Sequence, residues 1–172
     1  MAPEAGLSVG DLQAYLRARG IAGEIVRLEA HTPTVEAAAQ VVGVPVERIA
    51  KSVLFLVEWP TGHLGVPEPV LVIANGTHKV DTRRVAEHLG AARKRLRLAA
   101  APAVLAATGY PVGAVPPLGH PAPLRTLMDR RVLAQPEVYA GGGALDALLR
   151  IAPADIQAAA QAEVVDVVAD AA

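Results

Sequence analysis

Two stretches decide the fold: Ser52-Val53-Leu54-Phe55-Leu56-Val57-Glu58 and, a short gap later, Val70-Leu71-Val72-Ile73-Ala74. Both are short, β-branched and almost continuously apolar, the pattern of strands buried on both faces rather than of a half-exposed ribbon. Between them, residues 59–69 hold three prolines and two glycines, which suits a broad hairpin loop and makes the two strands antiparallel neighbours. A strand pair covered on both faces needs helices, and the flanking sequence supplies them.

Upstream, Ser8 can cap a helix whose apolar positions Val9, Leu12, Tyr15 and Leu16 recur at helical spacing, with Gly20 as its stop. Residues 24–29 alternate loosely enough for a strand. Thr34 caps a second helix ending at Gly43, and Pro45 to Ala50 forms one further turn. Downstream, Asp81 caps a helix that Gly90 stops, Arg95 to Leu98 is a short strand, and Ala101 to Thr108 is a helix ended by Gly109. Short strands are expected at Thr126 to Leu133, Glu137 to Tyr139 and Leu148 to Ile151, and Pro153 opens a last helix. Residues 158–172 read as a terminal helix or tail. Elements this short, without regular alternation, predict an α+β (mixed α/β) fold: a mixed, barrel-like sheet flanked by helices, in one domain over residues 1–172.

Composition narrows the function. With 16 Lys plus Arg against 17 Asp plus Glu and 52% hydrophobic residues, the 172-residue chain is too apolar for disorder. It has no apolar run of the ~18 residues that a membrane span needs. Met1 to Gly10 shows no basic start followed by an apolar stretch, so the cytoplasm is the expected location. Zero cysteines exclude disulfides, thiolate metal sites and cysteine nucleophiles. Seven of the sixteen basic residues (Lys79, Arg83, Arg84, Arg93, Lys94, Arg95 and Arg97) fall within positions 79–97, which makes one strip strongly cationic.

Catalytic signatures are sparse. The only serines, Ser8 and Ser52, lie outside any Gly-x-Ser-x-Gly elbow, and a Lys51–Ser52 dyad is awkward because consecutive strand side chains point to opposite faces. Five scattered histidines offer no metal spacing, so a catalytic zinc is not expected. Gly141-Gly142-Gly143 has the composition of a phosphate loop without its pattern, and reads as a turn between strands. Two features remain. Lys51 is one of three lysines and stands where the second helical region enters the most apolar strand, its stem partly buried. The run from Gly109 to Gly119 combines glycines that permit close backbone approach with prolines that stiffen it, so its amides can be held toward an anion or carbonyl.

Taken together these pieces resemble the YbaK family of aminoacyl-tRNA deacylases, relatives of the editing insertion domain of bacterial prolyl-tRNA synthetase. Thr34-Val35-Glu36-Ala37-Ala38 with Gly43-Val44 resembles the family's opening helix, and Lys51-Ser52-Val53-Leu54-Phe55 its lysine-bearing strand. Val80-Asp81-Thr82-Arg83-Arg84 with Leu89-Gly90-Ala91 is similar to the next helix. Gly113 to Pro117 resembles the family's Gly-x-x-x-Pro loop, and Met128-Asp129, Val138 to Gly143 and Ile151 to Ile156 resemble its closing segments. The likeness spans about residues 30–157. It departs from the commonest pattern at Ala114, where a second glycine is frequent, at Pro116, where a hydroxyl residue is usual, and at Ser52, where threonine is common.

The resemblance implies hydrolysis of the ester joining a wrong amino acid, cysteine or alanine on the proline tRNA foremost, to the 3′ adenosine. It implies no metal, no organic cofactor and no covalent intermediate. It places Lys51 and the Gly113, Ala114 and Val115 backbone in the catalytic machinery, and Pro117, Gly119, Ser52, Gly142, His31 and Asp129 around the substrate. Lys79, Arg83, Arg84, Arg93, Lys94 and Arg95 become the face for the tRNA acceptor end, with prolyl-tRNA synthetase as a further partner and neither DNA nor membrane involved. Two other readings stay open: a catalytically silent tRNA-binding adaptor, prompted by the altered loop interior, and a small-molecule esterase or amidase using Lys51.

Overall fold

The computed structural model describes residues 6–61 and 65–169. Strand β2 (Ala50–Val57) and β3 (Glu68–Asn75) form the antiparallel pair expected, in a register that sets Lys51 opposite Ala74 and Phe55 opposite Val70. Their side chains alternate between two cores. Phe55, Val57, Val70 and Val72 pack with Val85, Ala86 and Leu89 of helix α3 (Thr82–Leu89), while Leu54, Leu71 and Ile73 pack with Leu12, Leu16 and Val104 on the other side. Complete burial of a side chain such as Val70 or Leu71 contributes roughly 1.5–3 kcal/mol, so both layers need this hairpin.

Around the pair, β4 (Leu96–Leu98) joins β2 antiparallel, while β5 (Arg125–Asp129) joins β3 and β8 (Glu163–Val165) joins β5, both parallel. The order is β4-β2-β3-β5-β8. A second sheet, β1-β7-β6, is built from Gly23–Arg27, Ala147–Ile151 and Val138–Gly141. An Ile49–Tyr139 bridge ties the two sheets at the start of β2. The arrangement is barrel-like without closing, because β1, β4 and β8 keep free edges within these sheets.

Helices fall where their caps put them. Ser8 and Asp11 form a reciprocal capping box on α1 (Val9–Ala18), and Thr34 accepts the Ala37 amide at the start of α2 (Val35–Val42). Asp81 accepts the Arg83 amide at the start of α3, and α4 (Ala101–Thr108) ends on Gly109. Pro153 opens α6 (Pro153–Ala160).

Two expectations are corrected. The strand foreseen over Thr126 to Leu133 breaks at Asp129, whose carboxylate accepts the Arg131 amide and turns the chain into the short helix α5 (Arg130–Leu133). The terminal helix or tail foreseen over 158–172 ends as helix at Ala160, where Gln161 turns left-handed (φ 50°), and 163–165 instead form β8. Alanine and valine suited either state there, and the parallel edge of β5 decided between them. Residues 170–172 of that expectation, 1–5 of the N-terminal reading and 62–64 of the hairpin loop lie outside the described residues.

Candidate functional site

A cavity of about 170 Å³ opens where the two sheets meet. Its walls are the start of α2 (Thr34, Val35, Ala38), the first residues of β2 (Ala50, Lys51, Ser52), Gly113 and Val115 of the long loop, and Ala140, Gly141, Leu145, Ala147 and Leu148 around β6 and β7. Lys51, Ser52, Gly113 and Val115, far apart in sequence, therefore share one pocket.

Lys51 is half-buried, and its ammonium donates to the carbonyl of His78 at 2.5 Å. That carbonyl lies in the turn after β3. Asn75-Gly76, a turn signal legible in the sequence, fixes the turn: the Gly76 amide donates to Ile49 O (2.8 Å) and the buried Asn75 side chain donates to Glu47 O (2.7 Å). Burial pulls the Lys51 pKa below the usual lysine value and the nearby Lys79 ammonium adds to that, while the Glu36 carboxylate opposes both. Ser52 Oγ is buried with no hydrogen-bond partner among the described residues.

The opposite wall is backbone. Gly113 is left-handed (φ 89°) and a Cβ on it would sit 3.1 Å from Leu145 Cδ2, so Leu145 overhangs the loop at the pocket mouth. Gly141 presses so closely on the loop that a Cβ there would fall 2.1 Å from the Val115 carbonyl oxygen. The Gly143 amide donates to Ala114 O at 3.0 Å, which sews the two glycine segments together. From the residues alone Gly141 to Gly143 reads as a turn between strands, and only the family resemblance sets Gly142 near the substrate. Their fit to the loop depends on partners about thirty residues away and had no local signal.

Other expected site residues separate from this pocket. Ala114 is fully buried and its amide donates to Pro111 O at 3.0 Å, so it offers no donor to the cavity. Pro117 is buried, and Gly142 directs its amide to Ala147 O at 3.2 Å. His31 is exposed beside Thr32, a lining residue. Gly119 borders a different cavity, of about 340 Å³, with Tyr15, Arg19 and His120. His120 bonds Pro116 O at 2.9 Å, and burial holds its pKa below the ordinary histidine value. Asp129, expected around the substrate, is fully buried, is not among the residues that line the pocket, and accepts the amides of Arg131, Val167 and Val168.

In the cationic strip, Lys79, Arg83, Arg93 and Lys94 are exposed and Arg84 and Arg95 half-buried. Arg84 donates to Val168 O and sits 3.8 Å from Asp81, Arg93 donates to Leu96 O, and Arg97 faces Glu58 at 3.6 Å. No group of metal-ligating side chains occurs among the described residues, and no helix among them is long and apolar enough to cross a membrane.

The family model of the aminoacyl-tRNA editing domain matches residues 29–159. Among solved structures, one described as a proposed trans-editing enzyme for prolyl tRNA synthetase superposes with a TM-score of 0.81 at 34% identity, over 94% of this chain and 97% of that one. The hypothetical protein APE2540 superposes at 0.80 with 31% identity, over 92% and 99% of the two chains. Of curated proteins, the uncharacterized YwhH of Bacillus subtilis (strain 168) is 26% identical over 133 residues, 77% of this chain and 78% of its own length.

Proposed function

The chain belongs to the aminoacyl-tRNA editing domain family, and from that premise we propose that it is a trans-editing deacylase releasing a small, wrongly attached amino acid, cysteine or alanine foremost, from the proline tRNA. One observation carries the reading: Lys51, Gly113 and Val115, from two distant parts of the chain, border the same small pocket.

An aminoacyl ester is already activated, so its hydrolysis needs a placed water and stabilised charge more than a protein nucleophile. Water adds to the ester carbonyl and the carbon–O3′ bond breaks. The 3′ oxygen takes a proton and the amino acid leaves. The Gly113 and Val115 amides are the donors for the developing oxyanion, since Ala114 is tied to Pro111 and Pro116 and Pro117 carry no N–H. Lys51 acts electrostatically, on the terminal phosphate or ribose or on the developing charge, and the substrate 2′-hydroxyl or water carries the proton. Lys79, beside Lys51, begins a cationic path along α3 that suits the acceptor stem.

The altered loop interior favours activity over a silent binder, because the Ala114 methyl is buried and absent from the pocket lining, so the missing glycine does not fill the cavity. The test is deacylation of proline tRNA charged with cysteine, alanine, serine or proline, by wild type and Lys51→Ala in parallel. Lysine-dependent release of one non-cognate amino acid is expected. No release with tRNA still bound would establish the adaptor reading, and hydrolysis of free aminoacyl esters as fast as of charged tRNA would establish a small-molecule esterase.

A further inference from the structure

We propose that the C-terminal segment 163–169, pinned by the buried carboxylate of Asp129, is a positioning device for Lys51. The inference rests on the electrostatic role given to Lys51 above, and it makes Asp129 a positioning residue acting through two backbone segments.

Asp129 is 0% exposed, and a carboxylate so buried persists only where hydrogen bonds satisfy it. Capping the four-residue helix α5 uses one oxygen, which accepts the Arg131 amide at 2.9 Å. The other accepts two consecutive amides of the C-terminal segment, Val167 at 3.0 Å and Val168 at 3.1 Å. That is more than a cap requires, and it fixes the segment at the point where it meets the turn between β3 and α3.

There the segment grips both sides of Val80. Val167 O accepts the Asp81 amide at 2.7 Å, the Ala169 amide donates to Lys79 O at 2.9 Å, and Val80 and Val168 form an antiparallel bridge. The residue before Lys79 is His78, whose carbonyl holds the Lys51 ammonium. The entry to this turn is held by the lead-in to β2, through Gly76 to Ile49 O and Asn75 to Glu47 O. Its exit is held by the C-terminal segment. Asp129 thus reaches Lys51 by a continuous path of hydrogen bonds and short backbone steps, and the segment lies beyond residue 159, where the family match ends.

The test uses the full-length chain with Asp129→Asn, which leaves one accepting oxygen for both groups of donors, and Ala169→Pro, which deletes a single strap amide at the segment's outer end. Two readouts are taken. The first is the titration of Lys51 by side-chain NMR, assigned by Lys51→Ala because the chain has only three lysines. The second is deacylation kcat/KM for each variant alone and combined with Lys51→Ala. Glu36 and Lys79, the charges facing Lys51, are unchanged throughout.

Both variants are expected to move the Lys51 titration upward toward an ordinary lysine as water reaches the ammonium, and to lower kcat/KM about tenfold, with no further loss in the Lys51→Ala background. A Lys51 titration identical to wild type in both variants, or an equal loss of activity with and without Lys51, overturns the inference. If Asp129→Asn does not fold, Ala169→Pro decides alone. If the wild type deacylates none of the charged tRNAs, the proposed function fails while the titration still decides the positioning role.

Discussion

The two walls of the pocket are built on different principles. On the β2 wall, functional groups are side chains (Lys51, Ser52) set by the register of a strand buried on both faces. On the loop wall they are backbone groups, held by the fit of Gly141 against Val115, the Gly143–Ala114 hydrogen bond and the overhang of Leu145. A strand register tolerates change at single positions because many ladder bonds share the load. A backbone wall has no such reserve, since one added methyl displaces the donors themselves. The walls should therefore fail differently when perturbed: the first in chemistry with the fold intact, the second in both together.

The largest effect is expected for Lys51→Ala. Loss of an electrostatic group at the reacting centre should lower deacylation kcat/KM about 100-fold, equivalent to about 2.7 kcal/mol at 1.36 kcal/mol per tenfold. The melting temperature should hold or rise, because an ammonium whose pKa is depressed by burial is being removed. Steady-state kinetics beside thermal melting checks both halves, and a large fall in melting temperature would erase the contrast between the walls.

Next comes Gly141→Ala. Its Cβ would stand 2.1 Å from the Val115 oxygen and 2.6 Å from the carbonyl carbon, contacts that only a shift of the loop can relieve. We expect destabilisation of about 2–3 kcal/mol by chemical denaturation, of the order seen for overpacked sites, together with loss of deacylation. Ala50→Gly, a change of equal size at the start of β2, should cost only about 1 kcal/mol and leave measurable turnover. Equal costs at the two positions would show that the walls do not differ.

Legibility followed the same division. The β2–β3 pair, the caps at Ser8, Thr34 and Asp81, and the placing of Lys51 at the start of β2 could be read because the signal lies within a few residues: apolar runs, capping side chains, a glycine stop. The role of Gly141, the overhang of Leu145 and the pinning of 163–169 by Asp129 depend on partners that only the fold brings together. Asp129 shows the limit well. Its sequence neighbours fit a substrate contact, a strand interior and a helix cap alike, and burial against Val167 and Val168 chooses the last.

A subtler separation of the walls comes from pH. Deacylation that needs the Lys51 ammonium should decline as pH rises through its folded-state pKa, which burial places below the usual 10.5. Stability carries the opposite sign. With the folded pKa below the unfolded one, the penalty of the buried ammonium applies in full below the folded pKa and is relieved as pH climbs toward 10.5. A kcat/KM profile that falls in alkali while the Lys51-linked part of stability rises, with both trends absent in Lys51→Ala, would assign them to this wall.

The smallest expected effect is the most discriminating. Ser52 Oγ and Tyr110 OH are both buried hydroxyls without a hydrogen-bond partner among the described residues, and burial pushes the Tyr110 pKa up to about 12. A buried hydroxyl left unpaired carries a desolvation penalty, so Ser52→Ala and Tyr110→Phe should each be neutral or stabilise by up to about 1 kcal/mol. Their kinetics should diverge. Ser52 is a lining residue whose hydroxyl is buried in the wall itself, so its removal should loosen that wall against the bound aminoacyl ester and raise KM two- to fivefold; Tyr110 lies in the core at the root of the loop, outside the lining. Tyr110→Phe should thus leave KM and kcat unchanged. A KM that rises in Tyr110→Phe and not in Ser52→Ala would mean that the loop wall, and not the strand wall, is the one that senses the substrate through its side chains.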